Sequence, residues 1–171
     1  MHYKIIRSDR KTLSVEITRE LEVLVRAPRR ASIATIERFV NENESWIVSH
    51  IKTAKERKER FPDPTEDECL EYKKAALPYL TQRVAYYAPL MDVTPAGIKI
   101  TNAKTRFGSC SSKNRICFSF RVMQYPKEFI DYVVVHELAH IKYHNHSREF
   151  YEFIASVMPD YKRREKIVKG K

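Results

Sequence analysis

The 171-residue chain is 43% hydrophobic and 32% charged, the composition of a soluble globular protein long enough for one full core or for two lobes. No apolar run reaches the roughly 18 residues of a membrane span, and the opening MHYKIIRSDRK lacks the apolar stretch of a secretory signal, so a cytoplasmic protein without a membrane partner is expected. Cys69, Cys110 and Cys117 are too few for a disulfide framework, while the net charge of +10 admits a nucleic acid or another polyanion as partner.

The first elements follow from period two. Leu13, Val15 and Ile17 alternate, as do Leu21, Val23 and Val25, with Thr18-Arg19-Glu20 between them, which predicts a β-hairpin ending at Pro28. Ser32 is placed to cap one long helix carrying Ile33, Ile36, Phe39, Val40, Trp46, Ile47, Ile51 and Ala54, with Trp46 as a core anchor. The basic cluster KTAKERKER, 52–60, on that helix is a candidate surface for a nucleic acid or other polyanion, although Lys52, Lys55 and Lys58 alternate with Glu56 and Glu59 as on a solvated face. FPDPTEDE is the clearest break, separating an N-terminal lobe, 1–62, from a second lobe, 63–171, the two expected to form one compact unit.

Beyond the break, Leu70, Tyr72, Ala76, Leu80, Val84 and Tyr87 predict a second long helix. Residues 97–123 alternate at Ile98 and Ile100 and again at Ile116, Phe118 and Phe120, which predicts two strands joined by a polar excursion. Strand 115–122 is expected beside a cleft, where a free edge would pair with an extended peptide, or else within the core. Arg106, Gly108 and Ser109 are candidates for shaping that cleft, although Gly108 also suits a tight turn. The YKRREKIVKGK tail, 161–171, is read as a basic segment open to a polyanion. The expected class is α+β, with a small mixed sheet against the next helix and the N-terminal hairpin and long helix beside it.

That helix carries the chemistry. Pro126 suits a first helical turn, and apolar residues at 129, 130, 133, 134, 138 and 141 keep helical spacing despite the β-branched run Val133-Val134-Val135. His136 and His140 are then four residues apart on one face, where a zinc ion at about 2.0–2.1 Å would accept a nitrogen from each. Glu137 falls one step round, placed to take a proton from water. A third ligand must come from beyond the helix. On an unbroken helix His144 would lie about 12 Å along the axis from His136, and His146 would point about 240° away from His140. His146 serves if the chain leaves the helix near Tyr143 and turns back, with Asn145 suited to the reversal. Glu149 and Glu152 are the alternatives, and His144 is a rim residue. Ser147 would cap a last helix with Phe150, Phe153, Ile154 and Val157 inward, ending at Pro159. Tyr143, His144, Arg148 and Tyr151 are the nearby donors for a developing oxyanion, and His2 and His50 read as surface histidines.

The stretch RFGSCSSKNRICFSFRVMQYPKEFIDYVVVHELAHIKYHNHSREFYEF resembles the YgjP-like metallopeptidases, relatives of the WLM and SprT-type zinc proteases. The Arg-aromatic-Gly-Ser-Cys segment before the metal helix and the N-H-S after it carry the resemblance. It extends more loosely to the APRRAS…FV…SWI pattern near the N-terminus, and so covers nearly the whole chain. Ser119-Phe120 stands where the family usually has Asn-Trp. The resemblance implies a zincin-like fold, one Zn2+ on His136, His140 and His146, and Glu137 as catalyst of peptide hydrolysis. The histidine spacing also equals that of the metzincins, with Tyr143 in place of their glycine, so the turn must differ. Two other activities fit a basic chain with an open metal position: a metal-dependent nucleoside triphosphate pyrophosphohydrolase, and a protease aimed by nucleic acid. The first lacks the P-loop or acidic metal cluster that phosphate chemistry usually uses.

Overall fold

The structure, a computed structural model, describes residues 1–18 and 20–169. They fall into two compact units, Met1–Pro62 and Asp63–Lys171.

In the first unit the expected hairpin forms from β2, Ser14–Ile17, and β3, Val23–Pro28, antiparallel with Ser14 opposite Arg26 and Ile17 opposite Val23. Its turn dispenses with glycine by placing Leu21 at φ 65°, with the Leu21 N–H donating to the Thr18 carbonyl and the Thr18 N–H to Glu22. Arg19 of the expected turn lies outside the described residues. The other edge of β3 is taken by β1, Lys4–Ser8, running parallel to it, a strand that periodicity does not reveal because most of its side chains are exposed. Val23, Val25 and Ala27 line one face of β3 and pack with Ile36, Val40 and Ile47.

The single long helix is in fact two, α1 at Ile33–Glu42 and α2 at Glu44–Arg60. Ser32 caps the first as expected, its hydroxyl accepting the Thr35 N–H. Asn43 divides them: its backbone stands at φ −104°, ψ 10°, and its side-chain amide donates to the Phe39 carbonyl at 2.8 Å, offering the chain an alternative to continuing the ladder. Trp46 is consequently no core anchor. It is 40% exposed and stacks on His50 with ring centroids 3.8 Å apart, while Ile47 is buried instead.

The second unit opens with α3, Glu66–Leu90, started by a capping box in which the Thr65 hydroxyl accepts the Glu68 N–H and the Glu68 carboxylate accepts the Thr65 N–H. Its inner face is Ala76, Leu80, Val84 and Tyr87, whereas Leu70 is exposed. Three strands follow rather than two: β4 at Gly97–Thr101, β5 at Gly108–Cys110 and β6 at Arg115–Ser119, in the order β4-β6-β5. β6 is parallel to β4 and antiparallel to β5, so the sheet is mixed. The strand expected to offer a free edge is therefore the central strand, and the edges are β4 and β5, the latter too short to show a period.

After a 3-10 turn at Phe120–Gln124 comes α4, Lys127–Ala139, whose Val133, Val134, Val135, Leu138 and Ala139 are all buried. Burying side chains of this size, at about 1.5–3 kcal/mol each for the larger ones, outweighs the few tenths that β-branching costs a helix. Two short helices complete the unit, α5 at Arg148–Val157 and α6 at Tyr161–Lys169. The basic tail is thus largely a packed helix, with Tyr161 and Val168 buried, Arg163 paired to Glu128 and Asp160, and Arg164 paired to Asp160 and Asp131. Asp131 also accepts two bonds from Arg83, at 2.6 and 2.9 Å, which ties α3, α4 and α6 together. Gly170 and Lys171 of the tail lie outside the described residues. Among the described residues no helix is long and apolar enough to cross a membrane.

Candidate active site

α4 ends sooner than its periodicity suggests. His140 is its C-cap, and the backbone tightens there, with Ile141 and Lys142 donating to Leu138 and Ala139, three residues back. Lys142 holds the departing chain, donating to the Met91 carbonyl at 3.2 Å and lying 4.9 Å from the Phe153 ring centroid. The reversal does not use a left-handed Asn145; the positive-φ residues besides glycine are Leu21, Asp92 and Asn114. Ser147 is the N-cap of α5 by position, although its hydroxyl makes no capping bond to the helix.

This early turn brings three imidazoles together. One ring nitrogen from each of His136, His140 and His146 lies within 4.8 Å of the others, and the Nε2 atoms of His136 and His146 are 3.0 Å apart. Tetrahedral zinc at about 2.0–2.1 Å from its ligands would set neighbouring nitrogens roughly 3.3 Å apart, so this donor set fits that ion. His144 and the alternatives Glu149 and Glu152 are not part of the cluster. Glu152 is engaged by Arg148 at 2.6 Å, and a hydrogen bond from Ser147 holds the Glu149 carboxyl below its ordinary range.

The distal nitrogens are also held. His140 Nδ1 donates to the Tyr143 carbonyl at 3.0 Å, which leaves Nε2 with the lone pair. The Tyr132 hydroxyl donates to Glu165 at 2.9 Å, and its oxygen faces His136 Nδ1 at 3.4 Å as an acceptor. Burial is the main cause lowering the pKa of His140, and a ligand must be neutral. Beneath all three rings lies Phe150, fully buried, with ring centroids 5.0, 4.6 and 4.9 Å from His136, His140 and His146. Spacing finds Phe150 as a core residue and gives no sign that it is the floor of this site.

Glu137 is 6% exposed, and its Oε2 is buried without a hydrogen-bond partner. Burial pushes its carboxyl up to about 8, and the charge of Arg106 opposes the shift. Gly108 does not serve a tight turn. It sits within β5, and a Cβ there would lie 2.6 Å from both Cγ and Oε1 of Glu137, so the carboxylate occupies the space that any other residue would fill. Ser109, its neighbour, lies opposite Cys117 on β6.

The remaining predicted residues are spread around this centre. Tyr151 stacks on His146 at 6.2 Å, and His144 is exposed and acts on His140 only through its charge. The Tyr143 ring packs on Phe153 at 5.6 Å, so its nearest contribution is the carbonyl that holds His140. β5 is the edge strand of the sheet beside Glu137. The Ser119 N–H donates to the Phe107 carbonyl and the Ser111 N–H to that of Arg115, so alternation turns the N–H and C=O groups of Gly108 and Cys110 away from β6.

The model of the YgjP-like metallopeptidase domain matches residues 11–72 and 67–171. The crystal structure of the metallopeptidase zymogen of Pyrococcus abyssi abylysin is similar at 23% identity and a TM-score of 0.46, over 52% of this chain and 87% of that one. A search of curated proteins finds no match. The family match takes in the strands from β2 onward, the histidine-bearing helix and the helices that follow it, and the chain belongs to the YgjP-like metallopeptidase family.

Proposed function

We propose that the chain is a zincin-like peptidase in which His136, His140 and His146 hold one Zn2+ and Glu137 is the general base. One observation carries the reading: a buried carboxylate oxygen, Glu137 Oε2, stands without a partner on the turn of helix between two of three convergent imidazoles. Such an oxygen is costly unless a water or substrate group completes it. When bound, zinc supplies the Lewis acidity that polarises a carbonyl and lowers the pKa of water toward about 7.

The protein's own groups do the rest. Glu137 accepts a proton as water attacks the peptide carbonyl, and returns it to the amine as the C–N bond breaks. Burial raises this carboxyl toward the range of a base that must both take and give back a proton. The outward N–H and C=O groups of Gly108 and Cys110 would align an extended peptide along β5. Arg106, whose charge already reaches Glu137, and Tyr151, beside His146, are the best placed of the sequence candidates to meet substrate. Arg148 is engaged by Glu152, and the Tyr143 ring by Phe153.

Glu137→Gln tests the reading, since it keeps the side chain's shape and removes the proton acceptor. At matched zinc content, kcat on a cleaved peptide should fall by about 10²–10⁴. Nucleoside triphosphate turnover is measured alongside. Triphosphate cleavage that disappears in the variant, with no peptide cleavage by wild type, overturns the peptidase reading in favour of a pyrophosphohydrolase.

A further inference from the structure

A cavity of about 350 Å³ opens beside the metal-ligand cluster, lined by Tyr151, Tyr161, Lys162, Glu165 and Lys166. Two of its lining residues link it to the site by ring contacts: Tyr151 lies 6.2 Å from His146 at 30°, and Tyr161 lies 6.0 Å from Tyr151 at 20°. An extended peptide advances about 3.3 Å per residue, so a chain cleaved at the histidine cluster would bring a residue some two to four positions from the scissile bond to this cavity. At the small end of the roughly 300–1,000 Å³ typical of ligand pockets, it suits one side chain or a chain terminus.

Its chemistry is specific. Lys162 and Lys166 stand four residues apart on α6, where like charges repel, and neither has an ion-pair partner among the described residues. This contrasts with the neighbouring Arg163 and Arg164, both committed to carboxylates. The one acid in the wall, Glu165, accepts the Tyr132 hydroxyl through Oε1. The tyrosine rings supply apolar walls for methylene groups, and Lys162 Nζ already lies 5.9 Å from the Tyr161 ring centroid.

We propose that this cavity is a specificity subsite for a carboxylate of the peptide substrate, received by Lys162 and Lys166 alongside the stacked Tyr151 and Tyr161 rings. The proposal rests on the peptidase reading of the metal site and names the substrate feature that reading leaves open. A carboxylate comes from an Asp or Glu side chain or from a free C-terminus, and the two are separable by experiment.

The zinc-loaded full chain is given matched peptides carrying Glu or Gln two to four residues from the cleaved bond, each with a free or an amidated C-terminus. Wild type should prefer the carboxylate peptide at least tenfold in kcat/KM, and the arm that carries the preference identifies its source. In Lys162→Gln/Lys166→Gln, with its fold checked by thermal melting, the ratio should fall toward one. A preference absent from wild type, or surviving the double substitution, overturns the subsite.

Binding separates this proposal from the peptidase reading. Dye-labelled Glu and Gln peptides are titrated into Glu137→Gln protein, which need not turn over. At least tenfold tighter binding of the carboxylate peptide, lost with the two lysines, supports the subsite even if no peptide is cleaved. Equal binding of the two overturns it, and so does displacement of the peptide by inorganic triphosphate at far lower concentrations than by glutarate.

Discussion

Replacing Gly108 by alanine tests the closest packing in the site. The new Cβ would stand 2.6 Å from Glu137 Cγ and Oε1 and 2.7 Å from Cδ, against an ordinary contact of about 3.5–4.0 Å. Something must yield by about 1 Å. Val134, Val135, Leu138 and Ala139 around Glu137 on α4 are fully buried, so α4 cannot easily shift and either the carboxylate rotates away or β5 recedes from it. Overpacking of this kind costs about 1–3 kcal/mol, and a misplacement of about 1 Å in a reacting group costs on the order of 10² in rate. Gly108→Ala should therefore lower the melting temperature by several degrees and kcat by about 100-fold, while zinc content stays near that of wild type. A double-mutant cycle isolates the contact: in a Glu137→Ala background the clash is gone, so Gly108→Ala should cost little further stability. An unchanged penalty in that background, or near-normal kcat in the single variant, refutes the reasoning.

Three other outcomes are expected. His146→Ala should lose most bound zinc and His144→Ala should keep it, as read by metal analysis after dialysis; the reverse would move the third ligand to position 144. Tyr132→Phe, which removes the acceptor facing His136 Nδ1 and the donor to Glu165, should weaken zinc affinity by about 10-fold or more in a chelator competition, with the fold intact by circular dichroism. Arg163 holds the Glu128 and Asp160 carboxyls below their ordinary values chiefly through hydrogen bonds, so the stability they contribute is present above the unfolded carboxylate range and is lost as pH falls through their lowered folded values. Arg163→Gln should flatten the fall of melting temperature below about pH 4.5, and an identical acid limb in both proteins would remove that ion pair from the account.

What was legible in the chain was what local pattern encodes. The β2–β3 hairpin, the cap at Ser32, the helical spacing of α4 and the four-residue step from His136 to His140 each need only a few neighbouring residues. The early exit from α4 could be inferred because an unbroken helix would carry His146 away from His140. The rest depended on distant partners or on side chains without a period. β1 is defined by parallel pairing across the sheet, and β5 is three residues long. The helix break at Asn43 comes from one side chain competing for a carbonyl inside an otherwise uninterrupted apolar pattern. In α6 the arginines and lysines conceal Tyr161 and Val168, so a packed helix reads as a loose basic tail. Glycine at 108 gave a local signal that had two meanings, and only the position of Glu137 decides between them.

The place of β5 at the edge of its sheet has a consequence for the protein's behaviour in concentrated solution. A row of N–H and C=O groups that would receive a peptide backbone does not distinguish a substrate from a second copy of the chain, and unpaired edges are where sheets propagate into aggregates. Here the row is limited to the two outward residues of a three-residue strand, one of them a glycine with no side chain to build a sticky surface. The exposed, charged Arg106 precedes it by two positions, and the turn that follows carries the exposed Lys113. Brevity and flanking charge would let the edge accept one strand without templating many. Engineering a longer β5 to gain affinity for peptides should therefore cost solubility before it improves turnover.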